Sequence, residues 1–282
     1  MIRCTVQVTV LCATLAAIAD AQTWRVLDAA GGRRDSAQTT VRVDYTRGQL
    51  RTRPADGGSA LYDLHLRYDA TRSHPLLTFD SSARSLTIGA EARADSRTGG
   101  DGRNAGEAVL QLGRSTPLDV AVRLDVAMAT LDFGGLALRR LAVQSSASEV
   151  RVAFDAPNAV AMEALELDVS AATLTALGLA NANTARLRIG ARAAGAEVHL
   201  DGQWARDLEV DLDVALGSVI LYVPADVGVQ LDARRILAKV DAAGLRRSGD
   251  QYLSANWDTA PRKVRVRASA TVGKVQLIHA TR

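Results

Sequence analysis

Apolar and polar residues alternate along most of this chain in short runs of period two. Val41-Arg42-Val43-Asp44-Tyr45 alternates, and so does Tyr62-Asp63-Leu64-His65-Leu66-Arg67-Tyr68. The second run places Tyr62, Leu64, Leu66 and Tyr68 on one face and charge on the other, the pattern of a half-buried strand. Leu76 to Phe79, Ser85 to Ile88 and Val109 to Leu112 predict further short strands. Between them, Asp95 to Gly106 is polar and glycine-rich and predicts a surface loop.

After Pro117 the alternation becomes a repeat. Leu124-Asp125-Val126, Leu167-Asp168-Val169 and Leu212-Asp213-Val214 share one tripeptide, at separations of 43 and 45 residues. Leu141-Ala142-Val143, Leu187-Arg188-Ile189 and Leu231-Asp232-Ala233 form a second series, at separations of 46 and 44. Each start is followed by small residues and then another alternating strand, such as Glu149 to Phe154, Glu197 to Leu200 and Ser218 to Val223. Two strands per unit of about 22 residues, without a helical period, predict a solenoid, because one coil cannot cover its own apolar face. A β-sandwich, with turn signals every 8 to 12 residues or so, is the alternative. Small stretches such as Ser145-Ser146-Ala147, Ser170-Ala171-Ala172 and Ala193-Ala194-Gly195 mark the bends. Ala242 to Pro261 breaks the rhythm and predicts an insertion, followed by a closing strand pair that ends at Ile278.

The expected fold is therefore all-β: a single-stranded β-solenoid over residues 117–282 with a terminal capping unit, preceded by an irregular β-rich N-terminal cap over 22–116. Residues 1–21 have the pattern of a signal peptide. Arg3 supplies the positive start, Val6 to Ile18 is apolar, and Ala19-Asp20-Ala21 fits a small-x-small cleavage site. The apolar run is short for a stable membrane span, and no later stretch of about 18 apolar residues exists. Both cysteines, Cys4 and Cys12, fall in this segment, and neither lies in a lipobox. The mature chain is expected to be free of cysteine, which suits an oxidising compartment such as the periplasm.

Composition narrows the function classes. Aromatics make up only 4% of the chain, so the core must be built from Val, Leu, Ile and Ala. The formal net charge is +3 with both signs interspersed, unlike the concentrated basic face that nucleic acid binding requires. Four histidines, His65, His74, His199 and His279, stand outside any zinc-ligand spacing. No Gly-x-Ser-x-Gly elbow is present, and the glycine-rich stretch Gly100 to Gly106 has the wrong spacing for a phosphate loop. No catalytic, cofactor or metal residues are assigned.

Two constellations remain. Asp125, Asp168 and Asp213 recur with the repeat and suggest a cation ladder. At one coil per start they lie two coils apart, about 9.6 Å, which a cation with oxygen ligands at about 2.3 to 2.6 Å cannot bridge. With Ala142 and Arg188 at the intervening positions, the series reads as a solvated ladder of alternating charge. Arg246 and Arg247, together with Trp257, form the candidate interaction patch, on what reads as a loop.

Several segments resemble the bacterial toast-rack family: Val41 to Leu50, Leu64 to Asp69, Pro117 to Asp119, Leu131 to Val143, Phe154 to Pro157 and Gly217 to Val229. The closing half is also similar to the C-terminal module of LiaF-type cell-envelope-stress proteins. The resemblance implies a stacked β-solenoid at the cell envelope. Two features depart from the family. Ala127-Met128-Ala129, Ser146-Ala147-Ser148 and Ser170-Ala171-Ala172 stand where Gly-x-Gly is common, so these bends are expected to avoid positive φ. The transmembrane helices of LiaF-type members have no counterpart here. The expected function is a non-catalytic exported envelope module, periplasmic or secreted, that presents a rigid stack to an unknown envelope protein or polymer. A glycan-binding or glycan-cleaving β-helix protein is the alternative. A self-assembling, adhesin-like element that associates through the solenoid ends is the third reading.

Overall fold

The computed structural model describes residues 23–32, 37–57, 60–93, 106–249 and 251–279. The predicted signal peptide therefore lies outside the described residues, as does the predicted loop from Asp95 up to Gly106. The rest is all-β, with 17 strands in one hydrogen-bonded sheet and a single 3-10 turn at Leu179–Ala182.

Six long strands carry the architecture: β2 (Thr39–Pro54), β7 (Pro117–Asp132), β12 (Arg186–His199), β13 (Leu208–Val223), β14 (Val227–Asp241) and β17 (Arg262–His279). Three further rungs are split into two strands each. These are β5 (Ser85–Ala92) with β6 (Gly106–Leu112), β8 (Ala137–Ser146) with β9 (Glu149–Ala153), and β10 (Ala164–Ser170) with β11 (Thr173–Leu177). All pair in parallel, in the order β5/β6, β2, β7, β8/β9, β10/β11, β12, β13, β17, β14.

Each long strand has two arms, and the alternation of the sequence marks where they meet. In β13, buried positions run Leu208, Leu212 and Val214 and then change parity to Val219, Leu221 and Val223. In β17 they run Val264 to Ala270 and then Val275 and Leu277. Two consecutive residues face outward at each change, such as Thr271 and Val272. Strict alternation would keep one face in, so a parity change requires a corner. Because β7 and β12 contribute to both arms, the pairings β7–β8–β10–β12–β11–β9 return to β7 and close a ring of six parallel strands.

Inside lie ladders of aliphatic side chains. Val120, Leu141, Leu165, Leu187, Val210, Val266 and Leu231 form one row, and Val122, Val143, Leu167, Ile189, Leu212 and Ala268 the next. All are buried in one continuous core. Adjacent strands lie about 4.8 Å apart, so like residues stack in van der Waals contact along each row.

Both ends differ from the middle. At one end β4 (Ser73–Asp80) lies antiparallel on β5, β3 (Ala60–Asp69) on β6, and β1 (Trp24–Gly32) on β3. At the other, β16 (Gln251–Leu253) pairs antiparallel with Gln230–Asp232 of β14, and β15 (Arg246–Ser248) with β16.

Three expectations are corrected. First, β17 does not close the stack after β14. It lies between β13 and β14 and pairs in parallel with both. Second, the shared tripeptides are not all in one row: Leu167 registers with Leu212 through Ile189, whereas Leu124 registers with Ser145 and Val169. Asp125 is thus off the row of Asp168 and Asp213, and the residue between those two is Gly190, not Arg188. Third, the alanine bends do take positive φ: 48° at Ala147, 49° at Ala171 and 50° at Ala193. At each the chain turns the corner in a left-handed conformation, and the freed N–H bonds down the stack, Ala147 to Ser170 O at 3.0 Å and Ala171 to Arg192 O at 2.9 Å.

Candidate functional site

Outward positions on the first arm are predominantly charged. Because strands stack in parallel and in register, each outward position becomes a row across the stack. One row reads Arg186, Glu209, Arg265, and its neighbour reads Glu166, Arg188, Asp211, Arg267, Asp232. The third reads Asp168, Gly190, Asp213, Ser269, Arg234. Charge sign thus alternates from strand to strand along the first two rows. Arg267 Nη1 lies 3.6 Å from Asp211 Oδ1 and 3.8 Å from Glu209 Oε2. Such exposed pairs stabilise a fold by about 0–1 kcal/mol, so they matter more for the surface they present.

An open groove of about 410 Å3 lies on this face, lined by Arg188, Asp211, Asp213, Asp232, Arg234 and Arg267, among others. Gly190 lies beside it on the row of Asp213. It has no side chain, and the Asp168 carboxylate leans over it, with Oδ1 2.1 Å from where a Cβ would stand. Three guanidiniums and three carboxylates meet in the groove, so it carries no net charge of its own. Among the described residues, no group of three or more His, Cys, Asp or Glu side chains is placed to hold a metal ion.

A second charged cluster lies further along the same arm. Glu163 accepts hydrogen bonds from Arg140 Nε at 2.9 Å and Nη2 at 2.6 Å, and from Arg139 Nη2. The hydrogen bonds from these two guanidiniums hold its carboxyl below the usual carboxylate range. Asp69 is the one buried carboxylate among the described residues. Burial opposes its ionisation, but Thr71 Oγ1, Thr71 N and Thr23 N all donate to Oδ1, and with Arg72 nearby they hold the group below its ordinary value. The Tyr45 hydroxyl is pushed up by burial, with a smaller contribution from Glu107.

Arg246 and Arg247 sit on β15 at the outer end of the stack, both exposed. Arg246 registers with Leu253, and Arg247 Nε donates to Gly249 O at 3.1 Å. Trp257 follows a turn closed by its own N–H to Ser254 O, and Lys263 and Arg265 lie over its ring at 5.3 and 5.5 Å. The cations against this ring are thus those that open β17. The carbonyl of Trp204 meets Arg262 Nε at 3.2 Å, so Trp204 and Trp257 flank the start of the same strand. Trp24 lies on β1, under Arg67 at 3.9 Å. The groove residues Arg267 and Ser269 drew no attention in the sequence. They reach Asp211 and Asp213 only because β17 inserts beside β13, and alternation alone does not specify strand order.

No helix among the described residues is long and apolar enough to cross a membrane. No protein-family model matches the chain, and no curated protein is similar to it. Solved structures resemble it over nearly their whole length. A candidate cell adhesion protein from Clostridium sporogenes is 12% identical, with 92% of this chain and 100% of that one covered at a TM-score of 0.47. A candidate adhesin from Bacteroides fragilis is 8% identical, with 92% and 98% covered and a TM-score of 0.44. One from Parabacteroides distasonis is 9% identical, with 91% and 98% covered and a TM-score of 0.35. At these scores the likeness assigns no activity, and the functional reading rests on the residues of this chain.

Proposed function

We propose that the protein is a non-catalytic, exported cell-envelope module of the toast-rack type, whose two-armed rungs form a β-solenoid that presents its charged outer face to an envelope protein or polymer. The observation that carries this reading is the set of in-register charged rows on the first arm, opening into a groove of about 410 Å3. A rigid sheet with alternating charge selects partners by matching signs over several strands, a source of specificity more than of affinity. The signal-like N-terminus supports placement outside the cytoplasm. Against a glycan-cleaving reading stands the setting of the groove carboxylates. Asp211 and Asp213 are exposed and interleaved with guanidiniums, whereas hydrolysis by a carboxyl pair needs one acid kept protonated in an apolar setting.

The test is site-specific photo-crosslinking in intact bacterial envelopes. A crosslinker at Ser269, in the groove, is expected to capture one defined envelope component, and a crosslinker at Thr175 on the other arm is not. Arg188→Glu combined with Arg267→Glu is expected to abolish that capture. Equal capture from both arms would refute the proposal. So would release of soluble fragments from envelope polysaccharide by the purified protein, if Asp213→Asn stopped it.

A further inference from the structure

The end of the stack at β14 is built differently from the rest. One side of β14 is paired with β17 from Val227 to Asp241. On the other side β16 covers Gln230–Asp232, and no strand of the described residues pairs with Ala233 to Asp241. The opposite end of the molecule is closed on both arms by the antiparallel strands β4 and β3. A bare edge offers unpaired N–H and C=O groups and invites another strand.

That edge is also apolar at its corner. Ile236 and Leu237 are 76% and 77% exposed, more than any other large hydrophobic residue described. Leu237 registers with Val272 and Val272 with Leu216, themselves 38% and 52% exposed, so an aliphatic ridge crosses three rungs and runs out at the free edge. An aliphatic ridge that is most exposed at an unpaired edge marks an interaction surface.

We infer that two copies of this chain join end to end through β14, antiparallel, about a two-fold axis that bisects the corner. Such an axis exchanges the two arms, so the first arm of one copy lies on the second arm of its partner. The parity change at Ile236–Leu237 then limits the registers that set outward faces together. Outward positions are Asp232 and Arg234 before the corner, Lys239 and Asp241 after it. One such register sets Arg234 opposite Lys239 and Asp232 opposite Asp241, two like-charge pairs, each repeated by symmetry. The next sets Arg234 opposite Asp241, twice, and matches faces along both arms except at the corner itself, where outward Leu237 meets inward Ala238. Charge complementarity rejects the first and fits the second, and the opposite slip, Asp232 against Lys239, would run the partner strand over the residues that β16 covers. In the second register the partner strand ends where β16 begins to cover the edge, so β16 stays in place.

Sedimentation equilibrium of the full chain tests this. The chain is expected to form a dimer whose dissociation constant rises at least about tenfold on Arg234→Asp, which sets an acid against Asp241 in both symmetry-related pairs. Asp241→Arg is expected to weaken it similarly, and Arg234→Asp combined with Asp241→Arg to restore it. Leu237→Lys is expected to weaken the dimer while leaving the melting temperature of the monomer in place. A monomer at all concentrations overturns the inference. A dimer indifferent to these changes, or a double variant no tighter than the single ones, also overturns it. The readout is mass, so it is independent of whether the charged face captures an envelope partner.

Discussion

Replacing Ala171 with glycine tests whether the corners of this fold are strained. Ala171 holds φ at 49°, and its side chain is exposed, so nothing packed is lost when the methyl group is removed. An L-residue in the left-handed region costs about 1–2 kcal/mol relative to its right-handed conformation, because Cβ crowds the following carbonyl. Glycine escapes that cost but brings a more flexible unfolded chain, which offsets about 0.4–1 kcal/mol. The balance predicts that Ala171→Gly stabilises the protein by about 0.5–1 kcal/mol, a rise of roughly 1–4 °C in melting temperature for a domain of this size. Ala147 and Ala193 share the geometry, with φ at 48° and 50°. They sit on neighbouring rungs, so combined effects need not add. The assay is urea unfolding followed by circular dichroism, with an unchanged slope as the sign that only stability moved. Ala121→Gly, inside β7, has no such strain to relieve and serves as the control, expected to lose about 0.5–1 kcal/mol. If Ala171→Gly loses as much as the control, the left-handed corner is not strained and the reasoning fails.

Three further outcomes follow from the same geometry. Gly273→Ala is expected to be among the most damaging single changes, above about 3 kcal/mol by calorimetry, because φ is 129° and the new Cβ would stand 1.8 Å from the carbonyl oxygen of Gly217. Ser145→Ala is expected to stabilise by about 1 kcal/mol in urea melts, since its buried hydroxyl lies without a hydrogen-bond partner in the row between Leu124 and Val169. Asp69 has its folded pKa lowered, so the stability it supplies is present above the unfolded value of about 3.9 and is lost as pH falls through the folded one. Asp69→Asn keeps an acceptor for Thr23 and Thr71 and is expected to flatten the acid limb of the stability–pH curve below about pH 5, while lowering stability at pH 7.

The strands and their buried faces were legible because period two survives in the sequence wherever one face is buried. Tyr62, Leu64 and Leu66 are buried as the alternation requires, with Tyr68 packed beside them. Strand order was legible only where neighbours in sequence are neighbours in space. From β7 through β13 they are. For β17 they are not, and the charged groove was hidden for that reason, since its rows draw on β12, β13, β14 and β17 together. Registration failed by one inward position at Leu124, because Leu-Asp-Val recurs as a tripeptide while the rows are set by where each strand turns its corner. Alanine at the corners gave no warning of positive φ. Glycine advertises that freedom, whereas an alanine is driven into it by hydrogen bonds that appear only once the rungs are stacked.

The insertion of β17 between β13 and β14 also governs the order in which the molecule can be completed. β17 is synthesised after both strands it separates, so β13 and β14 must wait, adjacent in the chain but unable to join each other in the final arrangement. Rungs from β5/β6 to β12 have every partner in hand before that point. Folding can therefore advance as a growing column from the early rungs and finish with one late, non-local step in which two strands open to admit a third. Until it does, β13 and β14 each expose an edge, and a chain broken short of Arg262 keeps both edges permanently, a substrate for aggregation and for proteases.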